Sequence, residues 1–529
     1  MGKSQGRSSS SNGKTLKVLA QDQSSLPPRR IQWYCCLVVI SVQIGLLSVV
    51  IKRRWTREST PIINGALRYT TGPPCGFRLS SNRVPVLTIH PTDAFAASTI
   101  SKAEPVVLQG SSVTKWRAQQ WSLDYIARKA KGPVHNIYEN NNRWFGPYFD
   151  GRKPLLPYAR HPNPYRTNLT LPVRTLMSRL GNTQQKTSTA ASWVYFSGPL
   201  EELGAWTAEE VDPLDELLSP NPAVSSVNVW MGPPNVIAHC HYDGYHNFYA
   251  QLSGRKRFWL ARPRAWPQLL TSPFLHPMHA QCQVNLSTPL TPTCAGGGSA
   301  SKEGAGADAD IGDDDDDVEI LEVVLDPGDL LYIPPLWFHH VESIDTSISV
   351  NVWTDSMQST TALTMFETPI PGSDLISSWD AQQRALAATM AAHSMLEVVC
   401  STGSCSTAGD KPPLYRKLAA RHFLMTVFSA RYQPMLTSGL LLPPEHEWSS
   451  PLCDGGANVT ELAREAIGAS YAEFSEEVST FSRSVLSTVS KLPSETVTVW
   501  LGNYVEFLGA QYVQPEHIAH WLRDASECL

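Results

Sequence analysis

The segments His241-Tyr242-Asp243 and Tyr332-Ile333-Pro334-Pro335-Leu336-Trp337-Phe338-His339-His340 decide how this chain folds. On a β-strand, residues two apart share a face, so His241 and Asp243 point one way and Tyr242 the other. A third donor must come from a second strand. Strand alternation lets only one of His339 and His340 face the same interior. Two imidazoles and one carboxylate that leave coordination positions open form the facial triad suited to non-haem Fe(II).

Working outward from these segments, the texture is that of short strands. Trp193–Phe196, Ser226–Met231, Asn247–Leu252 and Arg257–Leu260 are rich in β-branched and aromatic residues. So are Val318–Leu325, Leu330–Ile333, Phe338–Glu342 and Ser347–Trp353. Ser253-Gly254 and Asp326-Pro327-Gly328-Asp329 mark tight turns between them. Many short strands joined by such turns predict a sandwich or jelly roll. Residues 288–317, which end in the run Asp313–Asp317, form a low-complexity acidic insertion best read as a solvated loop.

On the N-terminal side, Pro105–Leu108 reads as a short buried strand and Trp116–Lys131 as a helix capped at Ser122. Residues 132–190 are rich in Pro, Asn and Arg and read as loop. After Trp353 the apolar spacing turns helical over Trp379–Val399, Leu414–Tyr432, Glu461–Leu492 and Glu495–Leu508. Pro515 opens a last short helix. These helices are expected to pack on the barrel or to form a homodimer face.

The remaining signals bound the setting. Of the 529 residues, 1–28 are polar and aperiodic, which predicts a disordered tail. Ile31–Ile51 is uncharged and flanked by Arg29-Arg30 and Lys52-Arg53-Arg54, the pattern of a membrane-spanning signal anchor. The basic residues on its two sides nearly balance, so charge does not set its orientation. Residues 55–90 read as a stem. Sequons at Asn168, Asn285 and Asn458 occur at about the frequency chance gives.

Eight cysteines follow the anchor, and Cys400 and Cys405 bracket a turn that a disulfide could close. The secretory pathway, with the body lumenal, is the expected compartment. A net charge of −5 argues against a nucleic-acid binder. Zinc-ribbon spacing, a phosphate-cradling glycine loop and a catalytic serine elbow are missing from the sequence.

The stretch His241–Arg257 and the stretch Asp326–Ser343 together resemble the core of JmjC-domain oxygenases. The likeness is strongest to the cupin-type hydroxylase branch that includes the asparaginyl hydroxylase inhibiting hypoxia-inducible factor. Pro105–Leu108 and Trp121–Tyr125 resemble the N-terminal part of that branch. The resemblance implies a mainly β fold: a double-stranded β-helix, or jelly roll, over residues 91–355. An N-terminal α/loop region, a C-terminal helical region over 356–529 and one N-terminal transmembrane helix would complete the chain.

The resemblance also implies a ligand set. His241, Asp243 and His340 would hold Fe(II), with His340 preferred because the family's Trp-aromatic-His-His stretch is taken to use its second histidine. 2-Oxoglutarate and O₂ would take the open positions. Lys256 and Tyr195 would receive the distal carboxylate of 2-oxoglutarate, and Asn247 and Asn351 would lie near its iron-bound end. The branch often carries Thr three residues before the first iron-binding His. Here Ala238 stands there, so either His239 substitutes or Lys256 and Tyr195 suffice.

The expected activity is that of an Fe(II)- and 2-oxoglutarate-dependent dioxygenase hydroxylating a protein or peptide side chain. The alternatives are a lysine or arginine demethylase, a membrane-anchored non-catalytic cupin binding protein, and a small-molecule or RNA-base hydroxylase.

Overall fold

A computed structural model describes residues 102–146, 166–181, 192–212, 224–284, 318–401, 413–441 and 457–528, two short strands at 77–83 and 86–88, and a few isolated positions. The stretch 31–51, expected to form an anchor, and the acidic stretch 288–317 lie outside the described residues. Among the described residues no helix is long and apolar enough to cross a membrane.

The strands run, in chain order, β1 (Phe77–Arg83), β2 (Val86–Thr88), β3 (Val106–Gln109), β4 (Pro133–Asn140), β5 (Trp144–Phe145), β6 (Arg166–Pro172), β7 (Trp193–Pro199) and β8 (Val224–Gly232). They continue with β9 (Ile237–Tyr242), β10 (His246–Ser253), β11 (Lys256–Ala261), β12 (Val318–Leu325), β13 (Leu330–Ile333), β14 (Phe338–Ser343) and β15 (Ser347–Thr354). Helices α1 (Leu123–Lys129) and α2 (Val173–Gly181) belong to the N-terminal part. After β15 come α3 (Met357–Phe366), α4 (Ala381–Cys400), α5 (Pro413–Val427), α6 (Gln433–Thr437), α7 (Val459–Ile467), α8 (Tyr471–Val489), α9 (Ser494–Tyr512) and α10 (Ile518–Glu527).

The strands form two sheets. One has the order β1-β12-β11-β14-β9-β5, the other β2-β3-β13-β10-β15-β8-β7-β4-β6. Apart from three short parallel pairings at the ends of the sheets, the ladders are antiparallel, as expected of a jelly roll.

Alternation along the strands sorts side chains into three layers. Phe258 and Leu260 of β11, Val341 of β14, Leu331 and Ile333 of β13 and Tyr249 of β10 fill the space between the sheets. On the outer face of the larger sheet, Phe248, Ala250 and Leu252 pack with Trp121, Ile126 and Leu176 from the N-terminal helices. Across the molecule, Cys240, Tyr242, Trp259, Ala261 and Phe338 pack under the C-terminal helices. Burial of these apolar faces against helices on both sides, at roughly 25 cal/mol per Å², is what holds the two sheets closed. The C-terminal helices thus pack on the barrel, one of the two uses expected of them.

Several local expectations need correction. Trp116–Lys131 is one α-helix only over α1; two 3₁₀ turns, Ser112–Lys115 and Arg117–Gln120, precede it. Ser122 caps α1 by accepting from the Tyr125 amide. Residues 132–190 include β4, β6 and α2. Here strand pairing with β7, and burial of Val173, Leu176, Met177 and Leu180, override a loop-like composition. Glu461–Leu492 is two helices, broken at Gly468, whose φ of 62° lies in the left-handed region that favours glycine.

Cys240 is disulfide-bonded to Cys282, and Cys453 to Cys528. Cys400 is also disulfide-bonded; Cys405, its expected partner, lies outside the described residues.

Candidate metal centre

Strand register sets which histidine enters the barrel. On β11, Lys256, Phe258 and Leu260 share the inner face, and β14 pairs with them so that Leu260 lies opposite His339 and Phe258 opposite Val341. His339 is therefore internal. His340 pairs with Trp259 on the outer face, where its ring meets those of Trp144, His239 and Trp259. The structure thus gathers His241, Asp243 and His339, with donor atoms all within 4.8 Å of one another. The preference for His340 is corrected to its neighbour.

A β-bulge brings the other two donors in. On β14, His339 and Val341 are two residues apart, but their partners on β9, His241 and Ala238, are three apart. The extra residue lets both His239 and Cys240 point outward while Ala238 and His241 point inward. His239 consequently donates from Nε2 to the Cys282 carbonyl, 2.8 Å away, and does not stand in for the missing threonine.

The tautomers of both inner imidazoles are fixed by backbone carbonyls. His241 Nδ1 lies 2.6 Å from the His239 carbonyl and His339 Nδ1 lies 3.1 Å from the Trp337 carbonyl. A carbonyl only accepts, so each Nδ1 carries the proton and each Nε2 presents its lone pair. His339 Nε2 lies 3.4 Å from Asp243 Oδ2. This donor set fits a divalent metal: neutral imidazoles, an ionised carboxylate and second-site partners already in place.

The electrostatics agree. Burial, then the neighbouring His339, hold His241 down to about 4, so it is neutral at physiological pH. Burial pushes the Asp243 carboxyl up, but the adjacent His339 and His241 rings, in their protonated forms, would pull it down by more, so it stays below the ordinary carboxylate range.

A second polar group lies further into the barrel. Lys256 is 1% exposed, and its Nζ donates to Tyr249 Oη at 2.6 Å and sits 5.9 Å from the centre of the Tyr195 ring. Burial lowers its pKa to about 7, and among the described residues no carboxylate lies within ion-pair distance of it. Its backbone is four residues along β11 from the position opposite His339, about 13 Å at strand rise. Between them, Asn351 Nδ2 donates to Asn247 Oδ1 at 3.0 Å and Trp230 Nε1 donates to Asn351 Oδ1 at 2.9 Å. Tyr245 stacks on Trp353 beside the donors, with ring centres 5.8 Å apart.

Tyr195, Asn247, Lys256 and Asn351 therefore share the interior with His241, Asp243 and His339. Tyr249 and Trp230 were not anticipated. Tyr249 was within reach, because it lies two residues after Asn247 on one strand and must share its face.

Residues 91–359 match the cupin-like domain family. With its two-sheet jelly roll and His-Asp-His donor set, the chain belongs to that family, within the JmjC group of its relatives. It is 30% identical over 132 residues to Jumonji C domain-containing protein 5 of Drosophila melanogaster, 25% of this chain and 28% of that one. Over 134 residues it is 29% identical to lysine-specific demethylase JMJ31 of Arabidopsis thaliana, 25% of this chain and 22% of the relative. Human bifunctional peptidase and (3S)-lysyl hydroxylase JMJD7 is 27% identical over 146 residues, 25% of this chain and 42% of its own. The chain thus spans well under two thirds of these relatives. These relatives support the JmjC family and not the asparaginyl-hydroxylase branch that the sequence reading favoured.

Proposed function

We propose that the chain is an Fe(II)- and 2-oxoglutarate-dependent dioxygenase that hydroxylates a side chain of a protein substrate. The observation that carries this reading is the convergence of His241, Asp243 and His339 within 4.8 Å. Ferrous iron held there, with 2-oxoglutarate and O₂, would supply the oxidant that converts C–H to C–OH while the cosubstrate is decarboxylated to succinate.

The chain's own share is positioning and charge. His241, Asp243 and His339 would hold the metal as a facial triad, which leaves positions for cosubstrate and O₂. Lys256 supplies the buried cation that the distal carboxylate of 2-oxoglutarate needs, since an unpaired buried anion is very costly. Tyr249 and Tyr195 flank that cation, and the Tyr249 hydroxyl replaces the one missing at Ala238. Asn247 and Asn351 lie between the two ends. The half-buried Tyr245–Trp353 stack offers an apolar wall for the incoming side chain.

The relatives support a second reading, since one is named a lysine-specific demethylase and another a lysyl hydroxylase. Incubation of the protein with a peptide library, Fe(II) and 2-oxoglutarate, read by mass, separates the two. Gain of one oxygen supports hydroxylation, and loss of a methyl group supports demethylation. Succinate release with neither product would contradict both.

We place the catalytic body in the lumen of the secretory pathway, behind an anchor at 31–51. The disulfides Cys240–Cys282 and Cys453–Cys528 and the bonded Cys400 support this, because the cytosol keeps thiols reduced. Protection of the body from protease in sealed microsomes is the expected result; its digestion there would put it on the cytosolic side.

A further inference from the structure

Tyr242 sits between the metal donors His241 and Asp243 but faces the opposite way, into the layer of C-terminal helices. There its hydroxyl meets Asn503 of α9, whose Nδ2 lies 3.0 Å away. Asn503 Oδ1 accepts from Arg431 Nη1 at 2.9 Å, and the same Nη1 donates to Glu506 Oε1 at 2.7 Å. Glu506 Oε2 also accepts from the Tyr432 hydroxyl at 2.6 Å and from the Phe274 amide at 2.8 Å. Arg431 and Glu506 are 1% and 0% exposed.

The chain of bonds has a fixed direction. A guanidinium only donates, so it holds the carbonyl end of the Asn503 amide and turns the NH₂ end toward Tyr242. A π turn at Phe428–Tyr432 presents the adjacent Arg431 and Tyr432 to one carboxylate. The arginine lies flush on α9, where a Cβ at Gly502 would come within 2.9 Å of its Nη2.

Two features make this more than core polarity. Well-packed apolar residues would stabilise such a site as well or better, so a buried ion pair is weak evidence of a stability role. Its far end also grips the residue flanked by two metal donors, just after a bulge that breaks regular pairing of β9. Rotation of β9 about its axis would move His241 and Asp243 together, and an outward-facing Tyr242 is the handle that resists it.

We propose that the C-terminal helices orient the metal-binding strand through the buried relay Glu506–Arg431–Asn503–Tyr242, which makes Arg431 and Asn503 positioning residues of the site. The proposal rests on the metal-centre reading of His241, Asp243 and His339.

The test is Co(II) binding by the full chain, followed by titration and by the visible spectrum of the bound ion. Tyr242→Phe and Asn503→Leu are each expected to weaken Co(II) binding about threefold to tenfold and to shift the spectrum, at or below the usual cost of losing an outer partner. Because both break one link, the double variant should be no weaker than the worse single. Asn503→Asp keeps an oxygen for Arg431 and an acceptor for the Tyr242 hydroxyl, and should restore both readouts. Lowered melting temperatures with wild-type affinity and spectrum, or additive losses in the double variant, would overturn the relay alone. Wild-type Co(II) binding that survives Asp243→Ala would overturn the metal-centre reading, and the relay with it.

Discussion

Leu260 of β11 stands directly opposite His339 of β14, and that pairing turns His339 into the barrel and His340 out of it. The consequence is a division of labour between adjacent histidines. His339 joins His241 and Asp243, while His340 is fully buried among Trp144, His239 and Trp259.

Substitution should separate the two. His339→Ala is expected to weaken Fe(II) or Co(II) binding more than about a hundredfold, beyond the usual effect of an outer-sphere change. His340→Ala should leave metal affinity within about threefold but lower stability by about 2–4 kcal/mol, as loss of a packed, buried side chain does. Isothermal titration and denaturant unfolding check the pair, and the reverse pattern would mean the register is wrong.

Lys256 should give the protein a distinctive pH dependence. Its ammonium is lost at about pH 7 in the folded state, against 10.5 as the ordinary lysine value. Between these two values the unfolded chain binds more protons than the folded one, so stability rises with pH, by on the order of 1 kcal/mol per unit. Below about 7 both states are protonated and the slope vanishes. The melting temperature of the cosubstrate-free protein should climb from pH 7 to 9, and Lys256→Met should flatten that climb. Cosubstrate binding should take up a proton in the same range, so affinity falls by up to about tenfold per pH unit, which calorimetry in buffers of different ionisation enthalpy would detect.

Tyr249→Phe removes the hydroxyl 2.6 Å from Lys256 Nζ without removing the ring. The 2-oxoglutarate requirement is expected to rise about tenfold or more, from about 1.5–3 kcal/mol for a hydrogen bond to a charged group, with metal affinity unchanged. An unchanged requirement would remove Tyr249 from the cosubstrate end.

The Cys240–Cys282 bond ties the donor strand to a segment 42 residues on. Its removal by paired Ser substitutions is expected to destabilise the protein by about 2–4 kcal/mol, read from denaturant midpoints under non-reducing conditions. Stability unaltered by the double substitution would show that packing against the helices alone fixes this edge.

Much of the barrel was legible because each strand from Trp193 to Trp353 carries β-branched and aromatic residues between turn residues. The inner face of β10 was legible too, and Asn247 on it implies Tyr249. His339 against His340 was not, because Phe338-His339-His340-Val341 has apolar residues on both sides and alternation alone gives no phase. The phase comes from the register with β11, which is a long-range pairing. The bulge at His239-Cys240 was hidden for the same reason, and with it the outward turn of Cys240 toward Cys282. In the segment 132–190, sheet pairing rather than local propensity makes β4 and β6.

The central claim is tested most directly by cosubstrate turnover. The full chain, solubilised and loaded anaerobically with Fe(II), should convert 2-oxoglutarate to succinate once O₂ is admitted. Turnover should be lost in Asp243→Ala and in His339→Ala and retained in His340→Ala. Turnover that survives Asp243→Ala, or an iron-loaded wild-type protein that releases no succinate with any peptide supplied, would contradict the account.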